Sequence, residues 1–249
     1  RVAQELGGKS ANIILDDVPD FPAAVARAGT MVCSHAGQGC AMYTRLLVPQ
    51  SRYPEAIAAL EKAYAAFGDN WGDPNSPTQT MGPVNSKRQL DRIMQYIEIG
   101  KKEGARLLAG GKARSDKGGG FFVEPTCFVD VNNKMRIAQE EIFGPVTALI
   151  PVRDFDEAIK VANGTRYGLS TSIFSKDVNK AFRAMRELET GLVYVNAGTI
   201  GAEVQVPFGG MKETGNGHRD AGQSSLDTFS EWKSLFVDFS GRLQKAQID

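Results

Sequence analysis

One cysteine in this chain sits where a nucleophile could work: Cys40, in Ala36-Gly37-Gln38-Gly39-Cys40-Ala41, with Glu5 upstream in Glu5-Leu6-Gly7-Gly8-Lys9-Ser10. Small neighbours leave a thiol open to close approach, and backbone N–H groups aimed at the sulfur favour the reactive thiolate. A carboxylate within reach can activate water. The pairing suggests covalent chemistry at a carbonyl carbon. Each residue also has a plainer reading: a free cysteine is a small buried hydrophobe, and Glu5 is a loop acid.

Other chemistries find little support. Gly8-Lys9-Ser10 resembles the end of a phosphate loop, but the first glycine of that motif is replaced by Ala3. Gly215-x-Gly217-x-x-Asp220 lacks the last glycine of a dinucleotide fingerprint. Two histidines and three scattered cysteines (Cys33, Cys40, Cys127) give no metal-ligand spacing, so no metal is expected. The 29 basic residues balance 29 acidic ones, which leaves no field to attract nucleic acid or an anionic membrane. No apolar run reaches membrane-spanning length, and the unpatterned thiols suggest a reducing, cytoplasmic setting. The chain opens on Arg1 and runs directly into the Glu5 motif, which suggests a piece of a longer protein or a processed product.

The elements that must position these residues alternate along the chain. Asn12-Ile13-Ile14-Leu15 predicts a short strand, and Asp20 with Pro22 predicts a capped helix to about Ser34. Arg45-Leu46-Leu47-Val48, closed by Pro49, reads as a buried strand. Ile57, Leu60, Tyr64 and Phe67 fall at helical spacing over 53–67, and 69–83 reads as a loop. Ser86 and Gln89 form a capping-box pattern ahead of Leu90, Ile93, Met94 and Ile97. Strands are expected at 105–109, 121–129, 146–152, 170–174 and 191–195, and helices at 154–163 and 177–188. Pro125 places the second of those strands at an edge or bend. The pattern predicts an α/β fold, a mainly parallel sheet flanked by helices. Residues 197–225 are glycine-rich and irregular. Residues 229–239 form an apolar extended run through Trp232, Leu235, Phe236, Val237 and Phe239, an edge in need of a partner.

Six ordered motifs resemble the aldehyde dehydrogenase superfamily across nearly the whole chain. Glu5-Leu6-Gly7-Gly8-Lys9-Ser10 and Gly37-Gln38-Gly39-Cys40 come first. Glu140-Glu141-Ile142-Phe143-Gly144-Pro145, the Asn163 to Leu169 segment, Gly191 to Asn196 and Pro207-Phe208-Gly209-Gly210-Met211-Lys212 follow. The resemblance implies that Cys40 is the nucleophile and Glu5 the base that activates water for deacylation. It implies NAD or NADP as hydride acceptor, Glu141 and Phe143 at the nicotinamide ribose, and Phe208 in the pocket of a small aldehyde. Gln89 and Arg92, one step apart on a helix that the family places near the cofactor, are carried as cofactor contacts, although a solvated helix face is the simpler account. Lys9 and Lys212 are assigned structural roles.

On this reading residues 1–196 form a catalytic α/β domain, 197–225 an active-site return segment, and 226–249 an oligomerisation strand and tail. The expected partner is a second copy, joined through 226–240, with packing of the apolar run on a region upstream of Arg1 as the alternative. The family's main cofactor domain and its oxyanion asparagine would lie upstream of Glu5, so these residues alone are expected to be inactive. His35 stands where the family often has asparagine, and His218 lengthens the last motif by one residue. The tail resembles a bacterial branch that includes semialdehyde oxidisers. A cysteine hydrolase or acyltransferase using His35 or His218, and a non-catalytic interaction domain, stay open. A CoA-acylating dehydrogenase fits less well, because such enzymes generally lack the Glu5 counterpart.

Overall fold

A computed structural model describes residues 2–199 and 203–241. The elements in chain order are β1 (Ser10–Ile14), α1 (Phe21–Met31), β2 (Tyr43–Pro49), α2 (Tyr53–Phe67), α3 (Lys87–Lys102), β3 (Arg106–Ala109) and β4 (Thr126–Val129). After these come α4 (Arg136–Gln139), β5 (Val146–Val152), α5 (Phe155–Asn163), β6 (Tyr167–Gly168), β7 (Ser170–Phe174), α6 (Val178–Glu187), β8 (Leu192–Val195), β9 (Met211–Lys212) and α7 (Ser224–Phe229). Seven strands form one sheet in the order β3-β4-β5-β2-β1-β7-β8. All pairings are parallel except β3 with β4. No helix among the described residues is long and apolar enough to cross a membrane.

Strand periodicity divides the core between the two faces of the sheet. Ile13 and Leu47 face one cluster with Ile93 and Ile97 of α3 and Ile159 of α5. Ile14, Leu46 and Val48 face the other, with Phe21 and Val25 of α1 and Leu60 and Tyr64 of α2. Burial on both faces explains why β1 and β2 read as continuous apolar runs and not as alternating ones. Asp20, Ser86, Asp154 and Asp177 each accept a hydrogen bond from the first turn of the following helix, which fixes where α1, α3, α5 and α6 begin.

Four sequence expectations change. Gln89 N–H bonds Ser86 Oγ, but the Gln89 side chain does not complete the capping box; it reaches another loop. Pro125 does not interrupt a strand: β4 starts after it and lies one position inside the sheet edge. Within the glycine-rich return, β9 pairs antiparallel with β6, a contact too short to show periodicity. The helix α7 takes residues up to Phe229, and residues 230–239 join no ladder among the described residues. The end of the 226–249 segment, 242–249, lies outside the described residues.

Candidate active site

The motif residues gather at the amino ends of the central parallel strands. Lys9 leads into β1, Cys40 precedes β2, Glu141 to Gly144 precede β5, and Leu169 leads into β7. The register places Ser10 opposite Tyr43 and Ala11 opposite Thr171, so the segments entering β1, β2 and β7 are neighbours.

Cys40 follows a left-handed turn formed by His35 (φ 51°), Ala36 (φ 52°) and Gly37 (φ 70°). Two glycines make the packing around it possible. A Cβ on Gly37 would lie 2.1 Å from the Gly144 carbonyl, so the nucleophile turn rests on the loop that carries Glu141 and Phe143. A Cβ on Gly8 would lie 2.1 Å from the Cys40 carbonyl oxygen, so the Glu5 motif rests on the nucleophile itself. Gln38 Oε1 accepts from Asn85 N–H at 3.0 Å, which ties the turn to the entry of α3.

Cys40 is half-buried. Burial raises its thiol pKa first, and the Glu5 carboxylate raises it further; the N–H groups of Ala41 and Cys40 oppose both, and Glu141 adds a weaker upward push. The two carboxylates that act on the sulfur through space, Glu5 and Glu141, belong to different segments. Cys33 and Cys127 differ: burial pushes both up to about 12, the behaviour of inert core thiols. Neither His35 nor His218 makes a hydrogen bond to Cys40 among the described residues.

Leu6 N–H donates to the Thr214 carbonyl at 2.8 Å, and Glu5 bridges to Gly215. Partial burial and the Asp220 carboxylate raise the Glu5 pKa, and Arg219 opposes them. Asp220 is held by paired backbone bonds to Phe208, at 2.6 and 2.7 Å, which brings Phe208 to the same place. Sequence reading left Asp220 out; its acid character beside a motif arginine was the only signal.

Glu141 Oε1 accepts from Gly8 N–H at 2.9 Å. Burial raises its pKa, opposed by that N–H and by Lys9 and Arg92. Phe143 has φ 60°. The polar side chains of α3 secure this strained loop: Gln89 Nε2 donates to the Ile142 and Phe143 carbonyls at 2.9 and 2.8 Å, and Arg92 Nη2 donates to the Glu141 carbonyl at 2.6 Å. Gln89, Arg92, Glu141 and Phe143 line one cleft of about 730 Å³. Lys212 Nζ donates to the Asn163 carbonyl at 2.7 Å and pairs with Glu189, a role confined to the β6–β9 corner.

The Aldehyde dehydrogenase family model matches residues 1–235. Aldehyde dehydrogenase 1A1 of Homo sapiens is 43% identical over 242 residues, covering 96% of this chain and 46% of that protein. An aldehyde dehydrogenase of Enchytraeus buchholzi is 42% identical over 238 residues, covering 95% and 46%. Among solved structures, an indole-3-acetaldehyde dehydrogenase complexed with NAD+ superposes with a TM-score of 0.89 at 39% identity, over 95% of this chain and 47% of that one. A Mycobacterium tuberculosis aldehyde dehydrogenase complexed with NAD+ gives 0.89 at 41%, over 97% and 49%. The chain spans about half the length of the relatives it matches.

Proposed function

The chain belongs to the aldehyde dehydrogenase family, and from that premise we propose that its site oxidises an aldehyde to the carboxylic acid, with Cys40 as nucleophile and Glu5 as base. The observation that carries the reading is the packing of three motif segments on one another, Gly8 against the Cys40 carbonyl, Gly37 against Gly144, and Gly8 N–H on Glu141, around the one cysteine that is not sealed in the core. The Cys40 thiolate adds to the carbonyl carbon and gives a thiohemiacetal, whose oxyanion needs N–H donors. A nicotinamide cofactor, when bound, supplies the acceptor for the hydride that leaves that carbon, so the adduct becomes a thioester. Glu5 then takes a proton from water as it attacks the acyl carbon. The acid departs and the thiol is restored.

The cleft beside Glu141 fits the cofactor's ribose. A half-buried carboxylate can accept from two neighbouring hydroxyls, Phe143 offers an apolar wall, and the Arg92 guanidinium keeps negative charge tolerable. Both NAD and NADP satisfy that chemistry. Phe208, half-buried beside Glu5 through Asp220, suits an aldehyde wall. The charged groups acting on the Cys40 sulfur are carboxylates, not imidazoles, which favours water as acyl acceptor over a histidine-assisted hydrolase.

The test is Cys40→Ser in the full chain. Where these residues are joined to a cofactor domain, it should remove aldehyde oxidation by about a thousandfold or more. Thiol-dependent hydrolysis of an activated ester, which needs no hydride acceptor, should be lost with it. Ester hydrolysis that survives the substitution unchanged would eliminate Cys40 as the nucleophile.

A further inference from the structure

The residue after the nucleophile is held as tightly as the nucleophile is packed. Ala41 offers its carbonyl oxygen to two hydroxyls: Thr199 Oγ1 donates to it, and Ser170 Oγ donates to it at 3.2 Å. Ser170 Oγ lies 2.9 Å from Ser10 Oγ. A hydroxyl has one proton, and that of Ser170 goes to Ala41, so Ser10 must donate to Ser170. Ser10, Ser170 and Thr199 are each at most 3% exposed. They come from three segments: the end of the Glu5 motif, the start of β7 and the stretch after β8.

Hydroxyls buried this completely are costly unless bonded, and bonded in a network they hold one geometry. Among the described residues none of the three hydrogen-bonds the sulfur, and none lines the cleft of Glu141 and Phe143. All their bonding converges on one peptide oxygen beside Cys40.

We propose that Ser170 and Thr199, with Ser10 behind Ser170, are positioning residues that orient the Cys40–Ala41 backbone so that its N–H groups face the sulfur. The inference rests on Cys40 being the nucleophile. The clasp and the Gly8 contact act on successive peptides, since Gly8 fixes the Cys40 carbonyl and the hydroxyls fix the next one. The charged groups acting on the thiol are Glu5, from the segment before β1, and Glu141, from the loop before β5, and both disfavour the thiolate. The N–H groups of Ala41 and Cys40 are the counterweight. If the clasp is lost, that counterweight turns away and the thiolate becomes harder to form.

The test is the pH–rate profile of iodoacetamide alkylation at Cys40 in the full chain, which needs neither cofactor nor aldehyde. Thr199→Val and Ser170→Ala should each shift the profile to higher pH and slow alkylation at pH 7.5 by about three- to tenfold. Thr199→Ser, which keeps the donor, should restore the parent profile. Thr147→Val removes a different buried hydroxyl, bonded to the Gly29 carbonyl away from the site; it should lower Tm and leave the profile in place. If Thr199→Val fails to fold, Ser10→Ala, which removes only the outer donor, should give a smaller shift in the same direction. A reactive Cys40 whose profile none of these folded variants moves overturns the clasp alone. A parent chain whose Cys40 resists alkylation overturns the nucleophile assignment and the clasp with it.

Discussion

At the scale of single residues, the site sets two carboxylates against one thiol, and that conflict is measurable. Glu5 raises the Cys40 pKa, so Glu5→Gln should lower it and shift the alkylation profile to lower pH. The same substitution removes the base, so acid production should fall by about a hundred- to ten-thousandfold. Faster alkylation with slower turnover separates a base from a residue that merely shapes the pocket; a fall in both would make Glu5 structural. Lys9 poses the opposite problem. Its Nζ is buried without a hydrogen-bond partner, and burial first, then Arg45, brings its pKa from 10.5 to about 7, against the pull of Glu141 and Glu140. Between about pH 7 and 10.5 the unfolded chain binds a proton that the folded chain refuses, so this residue lowers stability as pH falls through that window. Below about pH 7 the penalty is complete. Lys9→Met should therefore stabilise the fold by about 1–4 kcal/mol at pH 6.5. Urea denaturation should show the gain shrinking toward pH 10.5.

Elements bring these residues together, and most of the elements were legible in the sequence. The apolar runs of β1, β2 and β5, the helical spacing of α2, and the caps Asp20, Asp154 and Asp177 all have local causes, so local patterns reveal them. The motif order also singled out Cys40, Glu5, Glu141 and Phe143 as candidates. What escaped was every relation set by three-dimensional approach. Gln89 reads as a cap residue because its target, the 142–143 backbone, is distant in sequence. Asp220 and the hydroxyls around Ala41 belong to no local pattern. Nothing in a single strand announces that the site lies at the amino ends of the strands, the end opposite to the usual ligand crevice of an open parallel sheet. Glycine is the exception, since Gly8 is the residue type that a close backbone approach demands. That approach predicts a cost. Gly8→Ala would drive a methyl into the Cys40 carbonyl, a backbone atom that cannot rotate aside. It should destabilise the fold by about 1–3 kcal/mol and slow Cys40 alkylation. Thermal unfolding and alkylation read together check it; a variant as stable and as reactive as its parent would show that the contact is loose.

For the whole molecule the decisive feature is apolar surface at the carboxyl end. Trp232 is 90% exposed and Phe239 96%, with Phe229, Leu235 and Phe236 nearly as open. Isolated exposed hydrophobes are ordinary, but a contiguous run of aromatic and aliphatic residues is a binding surface. The same stretch joins no ladder among the described residues, and an extended apolar segment of this kind can add to an edge elsewhere. The sheet has such an edge in β8, which pairs only with β7. We propose a second copy as the partner, since each copy supplies a strand and an edge, and closed two-fold exchange is the commonest arrangement of like chains. The expected outcome is self-association through 226–240. Light scattering on the full chain should give a mass of at least twice the monomer. Trp232→Glu combined with Phe236→Glu, which places charge on that surface without touching the core, should return the mass to the monomer while leaving Cys40 alkylation unchanged. A parent that runs as a monomer would end the proposal. A double variant that still associates would move the interface elsewhere, to the exposed Val178, Phe182 and Met185 of α6.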